Sequence, residues 1–253
     1  MKIVLLLAIR AVASLGIRVK STGQPTYTFL SLPHDENVTE CHPSRPAPPF
    51  VDVWKGRATL FPGAAVIMDI GGNVGADVDM ILQTHPQSHV FTFEPIPHYF
   101  EILTTKFRGN PHVTVQNVGV ADANGQAQFI LDAVQGGQGT TGVDHTVHGD
   151  KVQVQLRDVQ DILTNITSTT GRVPDTLNIN CEGCEYAVLQ RVVDQGWLGK
   201  IHFVQVSWHV AADVADRVAK RCRIEEAFLN SSYKKVFHTT FGWEGWELVQ
   251  QVA

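Results

Sequence analysis

The sequence predicts an α/β fold, a mostly parallel twisted sheet with helices on both faces. Three observations predict it. Apolar runs of strand length recur between stretches of helical spacing. Those runs are apolar at consecutive positions, as a strand covered on both faces requires. A glycine-rich turn joins the first strand to the first helix, at the kind of crevice where such sheets bind ligands. Strand–helix alternation of this kind implies right-handed crossovers and parallel neighbours.

Residues 64–70 read AAVIMDI, a continuous apolar strand, and residues 74–84 follow with helical spacing. Residues 89–93, HVFTF, form a second buried strand, and residues 97–107 a second helix. Residues 113–118 make a third strand. Shorter strands at 126–131 and 152–156 flank a glycine-rich stretch, 136–142, that reads as a lid over a ligand or as a surface connection. A fourth main strand at 176–180 leads into a helix at 185–195, and a fifth strand at 201–207 into a long helix at 211–229. Residues 234–239 and 246–249 pair as closing antiparallel strands.

The 253 residues are 43% hydrophobic and 18% charged, which suits one large domain with extensions and excludes disorder over most of the chain. Net charge is −5, so no basic surplus exists to release counterions from nucleic acid, and a small or neutral substrate is expected. Residues 21–49 are a lead-in, proline-rich over 33–49, where it carries Pro33, Pro43, Pro46, Pro48 and Pro49. The compact domain is expected over residues 50–253. Cys41, Cys181, Cys184 and Cys222 are too few for a disulfide scaffold, and each is expected as a small buried apolar residue, with a disulfide somewhere as the lesser alternative. Cys181 and Cys184 form a lone CxxC with no second pair, which does not make a zinc site.

Residues 1–20 read as a targeting segment. Met1-Lys2 is a short basic start, residues 3–9 are apolar, and Ala11-Val12-Ala13 resembles a small-residue cleavage signal. The apolar run is too short to span a bilayer, so no integral membrane span is expected. A secretory signal leads, with sequons at Asn37, Asn165 and Asn230 fitting a glycoprotein of the secretory pathway. The absence of acidic residues before Asp35 also fits an organelle transit peptide, and an ordinary N-terminal strand or helix is the third reading.

The first strand ends in Asp69-Ile70-Gly71-Gly72-Asn73-Val74-Gly75. Counted from Gly71, Asn73 and Ala76 occupy the second and third glycine positions of a dinucleotide fingerprint, so the NAD pattern fails. The second strand ends in Phe93-Glu94-Pro95. A carboxylate there, roughly twenty residues beyond the glycine loop, can accept from both hydroxyls of a ribose. Loop and acid together point to an adenosine-bearing cofactor.

Asp69-x-Gly71-x-Asn73-x-Gly75, then Phe93-Glu94-Pro95, then Asn117-Val118-Gly119-Val120-Ala121-Asp122-x-x-Gly125, then Ile179-Asn180-Cys181-Glu182-Gly183-Cys184-Glu185 follow in order. In these four motifs the sequence resembles the FkbM-type S-adenosylmethionine-dependent methyltransferases. The resemblance implies a Rossmann-like methyltransferase fold, S-adenosyl-L-methionine as cofactor, and methylation of a hydroxyl on a sugar, lipid or other small molecule. It implies that Asp69, Gly71 and Asn73 line the methionine end of the cofactor in the loop that Gly75 closes. Glu94 holds the ribose, and Asp122 lies near the adenine. The acceptor is a small molecule or a glycan.

The sequence also departs from that pattern. The related stretch reads K-I-D-V-E-G-x-E, whereas Asn178 and Asn180 here remove a positive and a negative charge expected at the active edge of the sheet. After the fifth strand an acid is replaced by Ser207 while His209 is kept. With so few carboxylates no metal site is expected. The candidates for taking the hydroxyl proton are His209, Glu182 and Glu185. His209 leads because an imidazole of ordinary pKa, near 6.5, suits a base. Trp208, beside it, is the one tryptophan expected to face a substrate. A weakened or inactive member that only binds the cofactor is the alternative.

Overall fold

The computed structural model describes Cys41 and residues 63–131, 139–140, 150–209, 216–238 and 242–249. The targeting segment, the domain start near residue 50 and most of the glycine-rich stretch at 136–142 lie outside the described residues.

The main sheet has seven strands in the order β10-β11-β9-β8-β1-β2-β3. Its parallel core comprises β1 (Val66–Ile70), β2 (His89–Phe93), β3 (Val113–Gln116), β8 (Thr176–Ile179) and β9 (Phe203–Ser207). The expected closing hairpin is present: β10 (Tyr233–His238) pairs antiparallel with β11 (Trp243–Leu248), which pairs antiparallel with β9. Helices α1 (Ala76–Thr84), α2 (Pro97–Lys106), α4 (Glu185–Asp194) and α5 (Arg217–Asn230) connect the strands.

Alternation along each strand divides the core in two. Val66, Met68 and Ile70 point into a cluster with Leu189 and Val192 of α4 and Ile224 and Phe228 of α5. Ile67 points the other way, against Val78 and Ile81 of α1 and Leu103 of α2. Burial on both faces is why these strands read as unbroken apolar runs.

Two elements differ from the sequence reading. A further helix, α3 (Val159–Thr170), precedes β8 and packs on the sheet. Its threonines and β-branched residues weaken the helical signal. It forms because Val159, Ile162, Leu163 and Ile166 bury one face and because both ends are capped. Asp158 accepts from the Gln160 amide at the start, and Gly171 ends the helix at φ +74°. The short strands also form a separate sheet of four, in the order β4-β7-β5-β6. It comprises β4 (Gly119–Ala121), β5 (Gly125–Leu131), β6 (Gly139–Thr140) and β7 (Asp150–Asp158).

The cysteines are not isolated apolar residues. Cys41 is bonded to Cys222 on α5, and Cys181 to Cys184, so all four are paired. A bond closing 181 residues leaves no trace in local spacing. The second forms because the turn into α4 brings positions three apart together.

Candidate active site

The carboxyl ends of β1, β2, β8 and β9 meet at one edge. At the end of β1, Gly71 has φ +94°, and a Cβ there would overlap the Asn180 carbonyl and lie 3.3 Å from Cys181 Cα. Only glycine lets the first loop pack backbone to backbone against the loop after β8. Gly71 and Gly72 each donate an amide to the Phe93 carbonyl at 3.0 Å, which ties the same loop to β2. Gly75 starts α1 at φ +80°, where a Cβ would press on the Phe107 ring.

Asn73 sits between them at φ +44°. Its side-chain oxygen accepts from the Val74 amide at 2.7 Å, which stabilises this left-handed position. Its own amide donates to Glu94 Oε2 at 2.8 Å. The Ile96 amide donates to Glu94 Oε1, also at 2.8 Å. Asn117 completes the corner by donating to the carbonyls of Glu94 and Pro95 at 2.9 and 3.1 Å. Burial pushes the Glu94 carboxyl up to about 7, against the lowering by the Ile96 and Asn73 amides and with a smaller push from Asp69.

Asp69 does not reach this edge. It is wholly buried and accepts from Thr92 Oγ1 at 2.7 Å and from Asn178 Nδ2 at 2.7 Å. Asn178 Nδ2 also donates to Asp77 of α1 at 3.0 Å, and Gln205 donates to Asn178 Oδ1 at 2.9 Å. Thr92, Asp69, Asn178 and Gln205 stand side by side in the register of four neighbouring strands. Asn178 is therefore also interior, against the expectation that it lies at the active edge. This polar row crosses the sheet one layer below the loops, and a buried carboxylate persists there because charge-assisted hydrogen bonds meet it.

Asp122 is exposed after β4. Its charge acts on Arg191, which is bonded to Asp158 at 2.6 Å. The structure thus sets Asp122 with that ion pair and not among the residues bonded around Glu94.

The turn from β8 into α4 carries the remaining candidates. Glu182 and Gly183 both have positive φ, 55° and 117°. Glu185 is wholly buried: its Oε2 accepts from the Gly183 amide at 2.9 Å, and its Oε1 from the His209 amide at 2.8 Å. The His209 ring lies between two carboxylates, with Nδ1 3.3 Å from Glu185 and Nε2 3.6 Å from Glu182. Tyr186 donates its hydroxyl to the His209 carbonyl at 2.8 Å. Burial opposes the imidazolium, but the charges of Glu185 and Glu182 outweigh it and raise His209 to about 9.

This changes the expected role of His209. It is 0% exposed and holds its proton at neutral pH, so it lacks the vacant nitrogen that a base needs. Glu185 is shut away beside it. Glu182, with 19% of its side chain exposed, is the member of the trio open to a ligand.

Trp208 offers no face to a substrate either. It is 1% exposed, and its indole donates to Glu244 at 3.1 Å. Glu244 also accepts from Trp246, Lys235 and Arg221. His202 lies at the opposite end of β9, with its amide on the Asp175 carbonyl. Among the described residues no group of three His, Cys, Asp or Glu side chains could hold a metal ion. No helix among them is long and apolar enough to cross a membrane.

Tyr186, Thr92 and Gln205 escaped the sequence reading. Tyr186 directly follows a candidate acid, but Thr92 and Gln205 lie in apolar strand runs, where only register reveals that they share a row.

The methyltransferase FkbM domain matches residues 69–218 of the chain. Among solved structures, the methyltransferase FkbM of Methylobacillus flagellatus KT is similar at 13% identity and TM-score 0.50, over 76% of this chain. The chain spans 46% of the length of that protein. The O-methyltransferase of Bacillus cereus, solved in complex with SAH, is similar at 13% identity and TM-score 0.45, over 95% of this chain and 86% of its own. The fibrillarin of Aeropyrum pernix, with natively bound S-adenosyl-L-methionine, is similar at 10% identity and TM-score 0.41, over 76% and 72%. No curated protein sequence matches the chain. With the loop, the acid and the Glu182–His209–Glu185 cluster on one sheet edge, and the domain match covering more than half its length, the chain belongs to the methyltransferase FkbM family.

Proposed function

We propose that the chain binds S-adenosyl-L-methionine and transfers its methyl group to a hydroxyl oxygen of a small-molecule or glycan acceptor, on a sugar, lipid or other small molecule. The observation that carries this is the continuous edge from Glu94 through Asn73, Gly71 and Asn180 to Glu182 and His209. The donor set suits the cofactor. Glu94 has acceptor capacity for two ribose hydroxyls beyond its two amide bonds, the loop of Gly71, Asn73 and Gly75 would hold the methionine end, and the part-exposed Glu182 carboxylate suits a positively charged sulfonium.

The cofactor supplies an activated methyl group; the protein positions the acceptor and handles its proton. Transfer would join the acceptor oxygen to the methyl carbon, with the electron pair of the broken sulfur–carbon bond left on sulfur. Glu182 accepts the hydroxyl proton. His209, as imidazolium, fixes Glu182, and Glu185 offsets the imidazolium charge. Alignment in a water-poor site provides most of the acceleration in such displacements. Transfer of label from methyl-labelled S-adenosylmethionine, screened over glycans, lipids and small phenols, tests the reading. A labelled product supports it, and cofactor binding with no product in any class favours the alternative.

That alternative, a domain that binds the cofactor without turnover, has one observation in its favour. Ser207 stands where related sequences carry an acid, and its buried Oγ has no hydrogen-bond partner.

The two disulfides support a location in an oxidising, secretory compartment, in keeping with a signal-like N-terminus. Asn165 and Asn230 are exposed on α3 and at the end of α5, as glycan acceptors must be. Peptide mapping of the secreted chain before and after glycosidase treatment tests this.

A further inference from the structure

We infer that the Cys181–Cys184 bond is a reversible redox latch on the active edge: a dithiol opens it, and opening it releases Glu182 from His209. The inference deepens the reading of this edge as the catalytic site and rests on it.

The bond closes the turn that contains Glu182 and Gly183. Both residues are in the left-handed region, Glu182 at φ +55°, where a side chain is disfavoured. A residue with a Cβ persists there when its surroundings over-determine it. The surroundings here are the sulfur bridge across the turn, the Gly183 amide on Glu185, and the glycine loop, packed so closely that a Cβ on Gly71 would lie 3.3 Å from Cys181 Cα. With the bridge in place, Glu182 is held 3.6 Å from His209. Without it, Glu182 can relax to an ordinary backbone conformation and its carboxylate leaves the imidazole.

The surroundings of the two sulfurs favour exchange. Both cysteines are only partly buried, so a thiol can reach them. Cys181 Sγ lies 3.5 Å from Glu185 Oε2, and a carboxylate so close disfavours a thiolate on Cys181. Cys184 caps the N-terminus of α4, where the helix dipole and free amides favour a thiolate. An incoming thiolate therefore bonds to Cys181. The Cys181–Cys184 bond breaks with its electron pair on Cys184, which takes up a proton. The second thiol of the reductant then displaces Cys181. Two protein thiols and one oxidised dithiol result, a balanced two-electron exchange. The Cys41–Cys222 bond joins segments 181 residues apart and does not close this turn, so it serves as an internal control.

The test uses the full chain in buffers of reduced and oxidised dithiothreitol. Each cysteine is followed by alkylation and mass spectrometry, and His209 by NMR titration of its ring. Cys181 and Cys184 should become alkylated about tenfold faster than Cys41 and Cys222. On their reduction the His209 pKa should fall by about one unit or more, as one of two flanking carboxylates departs. The Cys181→Ser/Cys184→Ser double variant should show the lowered pKa with no dithiol present. Should that variant not fold, wild type reduced at this pair alone gives the same reading. An unchanged His209 titration after the pair opens, or a pair no more reducible than Cys41–Cys222, overturns the latch. Neither readout needs a cofactor or an acceptor. Loss of S-adenosylmethionine binding in both redox states would instead remove the methyl-transfer reading and leave the thiol chemistry standing.

Discussion

The Asn73 amide donates to Glu94 Oε2 at 2.8 Å, joining the loop after β1 to the end of β2. One carboxylate thereby fixes the shape of the loop, and in the proposed reading it also holds the ribose. Replacing Glu94 by alanine should weaken S-adenosylmethionine binding by about 1–3 kcal/mol, the cost of losing charged hydrogen bonds. Calorimetry of the two proteins checks this, and equal affinities would take Glu94 out of the site.

Cofactor affinity should depend on pH through the same group. The folded-state pKa of Glu94 is raised from 4.5 to about 7, so its neutral form is favoured in the fold. The stability this contributes is fully present below pH 4.5 and is lost as pH rises through about 7. The ionised form, the better acceptor for two hydroxyls, prevails above that point. Affinity should therefore rise over about pH 6–8, around the value near 7 to which burial raises this carboxyl, and Glu94→Gln should flatten the profile. A wild-type profile as flat as that of the variant would show that Glu94 does not titrate on binding.

His209 gives the opposite element of the site a stability signature. Its folded-state pKa is raised from 6.5 to about 9. That stabilisation is complete below pH 6.5 and is lost as pH rises through about 9. A shift of this size corresponds to on the order of 3 kcal/mol. Thermal melts from pH 6 to 10 should show the decline, and Glu185→Gln should reduce its amplitude.

The parallel core, the closing hairpin and the two loops of the site were legible because each has a local cause. Burial on both faces makes apolar runs, and positive φ or close packing demands glycine at Gly71 and Gly75. The fate of the polar residues was not legible. Asp69 and Asn178 sit in motifs that resemble binding sites, yet strand register turns them inward onto each other. His209 was recognisable as a candidate, but its protonation follows from Glu185 and Glu182, 24 and 27 residues away, approaching the two ring nitrogens. The Cys41–Cys222 bond and helix α3 were hidden for the same reason, since tertiary contacts stabilise them against weak local signals.

The buried row makes its own prediction. Asn178→Ala removes the amide that bridges Asp69 and Asp77 and leaves their carboxylates buried without it. Destabilisation of about 1–3 kcal/mol is expected from denaturant melts. A change within 0.5 kcal/mol, about that of an ordinary surface substitution, would show that the row is dispensable.

Proton acceptance divides the Glu182–His209–Glu185 cluster. With an acceptor in hand, Glu182→Gln should lower turnover by a factor on the order of 10²–10⁴ while cofactor affinity barely changes. His209→Ala should also slow transfer, through misplacement of Glu182. His202→Ala, at the far end of β9, should leave the rate nearly intact. Full activity of Glu182→Gln would return the proton to water or to the acceptor itself.

The central claim is that this edge holds S-adenosylmethionine. Its most direct test is isothermal titration of the full chain with S-adenosylmethionine and, separately, with NADH. Saturable binding of the methyl donor at one site per chain is expected, weakened in Glu94→Ala, with weaker or absent binding of NADH. No heat with the methyl donor, or tighter binding of NADH, would contradict it.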